Sequence, residues 1–390
     1  MSRHTTSSML LALLGASIFV LPTGASAAEL VIGELHPITG AASFYGVPMS
    51  RGIQLAVEGV NAKGGLQIGG QTLQVRLETG DDQASGVVGV AALKKLIASG
   101  VKFVIGPQSS PVASAVKPIM ESNRGVVQIV DGSTANGITN GRNSFRTTVT
   151  AGAYDDAVMK IANLQKYASV VVMTNRLAEG FMASERDFVA ALNDAGHKVL
   201  AQSYFKVGDT DFSAQVTQAL ALQPAALVLR DGPAEDAIIT KTARQQGYKG
   251  EIVWEVNAPA STVIKNISDA DMDGVMNGLP PHTDDYVRDG IPNAVALAKT
   301  YRDRFAAEPG ENTAISYDSA NMLFAAMRKA GSVDPAAVSK ALTELTRADV
   351  PELVGTYEPQ DDGHIFKTGQ AKLPTLVQTW HNGGWHVVSH

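Results

Sequence analysis

At 390 residues, 45% hydrophobic and 18% charged, the chain has the composition of an ordinary globular protein and enough length for two domains. Its net charge of −6, with no basic run, argues against a nucleic-acid or anionic-membrane surface. The absence of cysteine excludes disulfides, thiol catalysis and cysteine-ligated metals.

The N-terminus reads as a secretory signal. Arg3 and His4 precede an apolar run over 9–21, and Pro22, Gly24 and Ala25-Ser26-Ala27 follow it, so cleavage is expected near Ala27. That run is short for a membrane span and no later segment is long enough, so the chain beyond 27 is expected to be exported and soluble. No cysteine follows the run to carry a lipid.

Strand and helix patterns then alternate. Residues 29–35 predict a strand, and a loop over 36–46 carries Pro37, Gly40 and Tyr45. Ile53, Ala56, Val57 and Val60 mark one face of a helix that Asn61-Ala62-Lys63-Gly64-Gly65 stops. Residues 73–77 alternate apolar and polar, and Asp81-Asp82-Gln83 leads into a helix ending near Ser99-Gly100. The most informative stretch is 101–139. Its apolar runs, 101–105 and 126–130, are short enough for buried strands; they lead into Gly106-Pro107-Gln108-Ser109-Ser110 and Asp131-Gly132-Ser133-Thr134. Between them Val112, Val116, Ile119 and Met120 recur at helical spacing, with Ser110 placed to cap and Pro111 in the first turn.

A strand–loop–helix–strand unit requires a parallel sheet and a right-handed crossover. Both hydroxyl-bearing loops then lie at the carboxyl ends of adjacent strands, where helix N-terminal N–H groups favour anions. Taken singly, each Ser or Thr reads as a helix cap. Two adjacent strand ends with the same chemistry point instead to a small anionic ligand.

Fresh units follow residue 150, with strands at 169–173, 198–205, 225–229 and 251–254 between helices, which predicts an α/β fold with two parallel sheets. A breaker-rich segment, 275–292, precedes helices at 293–307, 314–330 and 335–346. The last strands, 373–380 and 385–388, flank Asn382-Gly383-Gly384. Crossings near 150, 278 and 358 would give one lobe of 28–149 with 279–357 and another of 150–278 with 358–390.

Enzyme motifs are absent: there is no G-x-S-x-G, H-E-x-x-H, P-loop or G-x-G-x-x-G. His381 and His386 read as exposed hairpin residues or as two ligands of a metal. Asp81-Asp82, Asp284-Asp285 and Asp361-Asp362 read as turn and cap residues. Trp380, Trp385 and Phe366 either stack on a ligand or fill a core. Arg230, ending the run 225–229, either grips a carboxylate at a strand's carboxyl edge or makes a surface ion pair.

The segments GELHPITGAASFYG (33–46), NAKGG (61–65), TGDDQ (79–83), VIGPQSS (104–110) and DGST (131–134) together resemble a known family. Gly180, Asp211-Phe212-Ser213, Tyr317-Asp318-Ser319 and Trp380-His381-Asn382-Gly383 extend the resemblance over nearly the whole chain beyond Leu30. It is to the type I periplasmic binding proteins of ABC importers, in the leucine/isoleucine/valine-binding branch. The resemblance implies two α/β lobes on a three-segment hinge, and a monomeric periplasmic receptor that hands its ligand to a permease. It implies no catalysis and no cofactor. Ser109 or Ser110, with Thr134, match the positions that hold an amino acid's carboxylate; Gly132 and Thr134 match part of the ammonium site, and Tyr45 an aromatic on the first-lobe wall. Ser133 belongs to the same loop.

The second lobe departs from the family pattern. Leu177 replaces an aromatic ahead of Gly180, Arg230-Asp231-Gly232 replaces small or aromatic residues, and the acid that would close on the ammonium falls near Glu255-Val256-Asn257. A branched-chain or related amino acid is the default ligand, with a non-amino-acid carboxylate such as an aromatic acid as the alternative. A sensory module of the same fold and an exported enzyme are the rival functions.

Overall fold

The computed structural model describes Met1 and residues 28–389, except Ala41, Asp231, Asn257 and Pro259. Apart from Met1, the expected signal sequence lies outside the described residues. The first part of the chain runs β1 (Ala28–His36), α1 (Ser43–Ala62), β2 (Leu66–Ile68), β3 (Gln71–Asp81), α2 (Gly86–Ala98), β4 (Phe103–Ile105), α3 (Ser110–Ser122), β5 (Val127–Val130) and β6 (Ser144–Arg146). Next come α4 (Ala151–Gln165), β7 (Ser169–Asn175), α5 (Glu179–Asp194), β8 (Lys198–Phe205), α6 (Ser213–Ala221), β9 (Ala226–Arg230), α7 (Pro233–Gln245), β10 (Glu251–Trp254), α8 (Ala260–Asn266), α9 (Asp269–Met272) and β11 (Met276–Leu279). Four helices, α10 (Thr283–Arg288), α11 (Pro292–Phe305), α12 (Thr313–Ala330) and α13 (Pro335–Thr343), precede β12 (Phe366–Lys367), β13 (Gln370–Ala371), β14 (Leu376–His381) and β15 (Gly384–Ser389).

Two sheets result, ordered β12-β13-β6-β5-β4-β1-β3-β2 and β15-β14-β11-β10-β9-β7-β8. Both are parallel at their centres, as the βα alternation requires. Their central strands are apolar on both faces because helices cover both. Ile32, Phe103 and Ile105 pack with Leu323 and Phe324 of α12, while Leu35 and Val104 turn to α2 and α3. In the second sheet Val170, Val172 and Val228 meet α4 and α5, and Val171, Leu227 and Trp254 meet α6 and α7.

The third crossing falls later than the sequence predicts. Residues 366–371, expected in the second lobe, form β12 and β13 of the first sheet, with Gln370 in register with Arg146. Phe366 stacks edge-on against Phe145 at 5.4 Å there. The chain therefore changes sheet between Ala371 and Leu376. Two-residue strands leave no periodic signal, so the pairing was invisible locally. Trp380 and Trp385 are core residues, packed edge-to-face at 5.1 Å.

Candidate functional site

A cleft of about 600 Å³ lies between the two sheets' carboxyl edges and is lined from both lobes. Four helices aim N-termini at it. The N-cap positions of α1, α3, α5 and α7 are Ala42, Ser109, Ala178 and Gly232; all four line the cleft, and none makes a side-chain capping bond. Uncapped N–H groups at a helix start carry partial positive charge and open donors. Such N-termini can receive an acceptor-rich group, while the charged residues among the described lining are Glu179, Glu235 and Glu311, with no Lys, Arg or His.

On the first-lobe wall Ser109, Ser110, Gly132 and Thr134 come together with Tyr45. Ser109, rather than Ser110, occupies the N-cap of α3, and its Oγ is buried with no hydrogen-bond partner among the described residues. Gly132 is required by close approach, since a Cβ there would lie 2.7 Å from the Gln108 Cα. Ser133 is not among the cleft's lining residues: it is buried, donating to Ser110 Oγ at 3.1 Å and accepting from the Ala135 N–H at 3.3 Å. Buried Arg146 holds this loop from behind by donating to the carbonyls of Ser133 and Ala135.

Beneath that loop His36 is fully buried, its Nε2 3.1 Å from both oxygens of Asp131 and its Nδ1 3.5 Å from Glu34. Burial alone would lower its pKa; the charge and hydrogen bond of Asp131, aided by Glu34, outweigh this and raise it to about 10. A group held charged above its unfolded pKa stabilises the fold fully below about 6.5, and that contribution is lost as pH rises through about 10. We therefore expect the melting temperature to fall between pH 6.5 and 10, and to fall less steeply in His36→Gln. Identical slopes in the two proteins would show that His36 does not carry the effect.

Among the second-lobe residues, Leu177 lines the cleft and is 60% exposed, with Gly180, Phe181 and Tyr154 beside it. Gly180 abuts the first lobe, its position for a Cβ being 3.3 Å from Thr134 Oγ1. Arg230 and Glu255 are elsewhere. Arg230 is fully buried, neither in the cleft nor on the surface, paired with Asp155, Glu185 and, at 2.7 Å, Glu255. Its guanidinium stacks over Phe188 at 4.2 Å. Glu255 is likewise fully buried, and burial, only partly offset by Arg230, pushes its carboxyl well above the usual range. Asn257 lies outside the described residues.

The expected cap role of Asp285 holds: it accepts from the His282 backbone N–H, and also from Gln378 and Arg288. His282, Asp284 and Asp285 lie within 4.8 Å of one another, but those bonds already engage Asp285. His381 pairs with Asp273, and His386 contacts the His381 carbonyl, so the two do not converge as ligands. Tyr154, Phe181 and Glu235 line the cleft without having been singled out in the sequence. Each sits near the start of its helix in an ordinary helical pattern, with nothing local to mark it as a cleft residue.

A model of the periplasmic binding protein family matches residues 29–378. The chain belongs to this family. Its members are binding proteins rather than enzymes, and among the described residues of this periplasmic binding protein no helix is long and apolar enough to cross a membrane. It is 29% identical over 376 residues to Leu/Ile/Val-binding protein homolog 1 of Brucella abortus, covering 93% of this chain and 94% of the relative. It is 28% identical over 330 residues to homolog 2 of the same organism, covering 82% and 84%. A leucine binding protein from Thermotoga maritima superposes with a TM-score of 0.77 at 23% identity, over 92% of this chain and 98% of that one. A solute binding protein of an ABC transporter from R. palustris, solved with benzoate, superposes at 0.74 with 17% identity, over 93% and 96%.

Proposed function

We propose that this periplasmic binding protein is the receptor of an ABC importer, clamping a small carboxylate-bearing ligand between its lobes and presenting the closed form to a permease. The observation that carries the reading is the convergence of Ser109, Ser110 and Thr134 on the cleft at the uncapped start of α3. A branched-chain or related amino acid is the first choice, supported by the Leu/Ile/Val-binding relatives. The second is an aromatic acid, favoured by Tyr45, Tyr154 and Phe181 in the cleft wall and by the benzoate-bound neighbour. Mass spectrometry of small molecules released from natively purified protein tests both, and a ligand without a carboxylate would reject the reading.

Closure has an apolar driving force. Phe44 on one wall and Leu177 and Val207 on the other are 66%, 60% and 60% exposed, and bringing the lobes together would remove them from water. Small-angle scattering should accordingly show a smaller radius of gyration when ligand saturates the protein. Superimposable curves would argue against a hinged clamp.

The export expectation is proposed alongside. Periplasmic protein should have the intact mass of a chain starting at Ala28 or Glu29, without lipid; a mass retaining residues 1–27 would refute it.

A further inference from the structure

We propose that Arg146 is a positioning residue that couples the loop 131–135 to the hinge: it turns that loop's carbonyls away from the cleft and, through Gln370, fastens the loop to two of the three crossings between lobes. This rests on the clamp reading above and names what carries occupancy of the cleft to the hinge.

Three consecutive carbonyls of the loop are held by one short segment. Those of Ser133 and Ala135 accept from Arg146 Nη1 at 3.2 and 2.6 Å, and that of Thr134 accepts from the Ala151 N–H at 3.0 Å. A carbonyl and the next residue's N–H point opposite ways across a trans peptide, so the Thr134 N–H is aimed away from Arg146. Thr134 lines the cleft, and its N–H has no acceptor among the described residues. Arg146 is not among the cleft's lining residues, so it acts on the loop from behind.

Burying this guanidinium is costly. Arg146 is 2% exposed, forms no ion pair among the described residues, and has its pKa lowered by burial to about 10. Its hydrogen bonds, all to uncharged oxygens, offset that cost. One of them reaches the hinge. Arg146 Nε donates to Gln370 Oε1 at 2.6 Å, and Gln370 Nε2 donates to the carbonyls of Thr148 and Ala371 at 2.6 and 2.7 Å. Thr148 lies between β6 and α4 on the first crossing, and Ala371 opens the last. These are the segments whose backbone must turn when the lobes swing. Movement there displaces Gln370, then the guanidinium, then both carbonyls; by reciprocity, a ligand that fixes the loop biases the hinge. Gln370 is outside the cleft lining and its side chain makes no hydrogen bond to the loop, so an effect of that side chain on the loop is carried by Arg146.

Hydrogen–deuterium exchange on ligand-free protein tests the coupling. Gln370→Leu, in protein whose thermal melt shows it folded, should raise exchange at least about threefold in peptides spanning 131–137 and 148–153, while peptides of α12 keep the wild-type rate. Arg146→Lys keeps the charge but loses the fork that reaches both carbonyls and Gln370; it should raise the same peptides and serves if the Leu variant does not fold. Wild-type exchange over 131–137 overturns the coupling, and so does a rise shared equally by α12, which marks general loosening. Calorimetric titration with leucine, phenylalanine and benzoate adds a functional readout. Whichever binds wild-type protein should bind Gln370→Leu at least about fivefold more weakly, and equal affinity overturns the coupling. Exchange decides the matter even where none of the three probes binds, so failure of the coupling and failure of the carboxylate reading are seen separately.

Discussion

Thr134→Ala is expected to weaken ligand binding by about ten- to a hundredfold, the effect of losing one hydrogen bond of roughly 1.5–3 kcal/mol to a charged group. Thr134 is half-buried at the end of β5 and lines the cleft. Its carbonyl accepts from the Ala151 N–H at 3.0 Å, so its backbone is pinned where the chain first passes between lobes. Removing the hydroxyl therefore deletes a donor without releasing the loop. Calorimetry with the copurifying ligand measures the loss, and His386→Ala on the β14–β15 turn should leave affinity unchanged. Equal affinity of Thr134→Ala and wild type would remove the basis for placing the carboxylate here.

Arg230→Met should lower stability by ~3–5 kcal/mol, the typical consequence of removing one partner from a buried ion pair. Arg230 joins β9 to Asp155 of α4, Glu185 of α5 and Glu255 just after β10, so three carboxylates from separate elements share one cation. Without it, those acids must take up protons or remain buried and uncompensated. Glu185 Oε1 and Glu255 Oε1 already lack hydrogen-bond partners among the described residues, which leaves little capacity to adapt. Urea unfolding followed by fluorescence should show a lower midpoint with an unchanged slope. A loss under about 1 kcal/mol would mean the cluster relaxes far more readily than its burial implies.

Hydrophobic periodicity was enough to read the α/β architecture, the parallel sheets and the strand-end position of the loops in the 101–139 unit. Short apolar runs such as 101–105 and 126–130 announce strands covered on both faces, and the loops after them must share one sheet edge. The positions of Ser109, Ser110, Gly132 and Thr134 in the cleft follow from that connectivity. These are local signals, carried by residues within a few tens of positions.

The placement of Arg230, Glu255 and Ser133 was settled only by tertiary structure. A strand's last residue lies at the carboxyl edge in any register, but whether its side chain meets ligand or protein depends on the neighbouring helices. Here Asp155 and Glu185, 75 and 45 residues earlier, draw Arg230 into the core. The same holds for His36 and Asp131, which meet across 95 residues. It also holds for β13, which pairs with β6 across 224 positions through Gln370 and Arg146. A single sequence records which residues can be buried or charged; long-range pairing selects which partner each one finds, because the energy of a buried charge depends on what surrounds it.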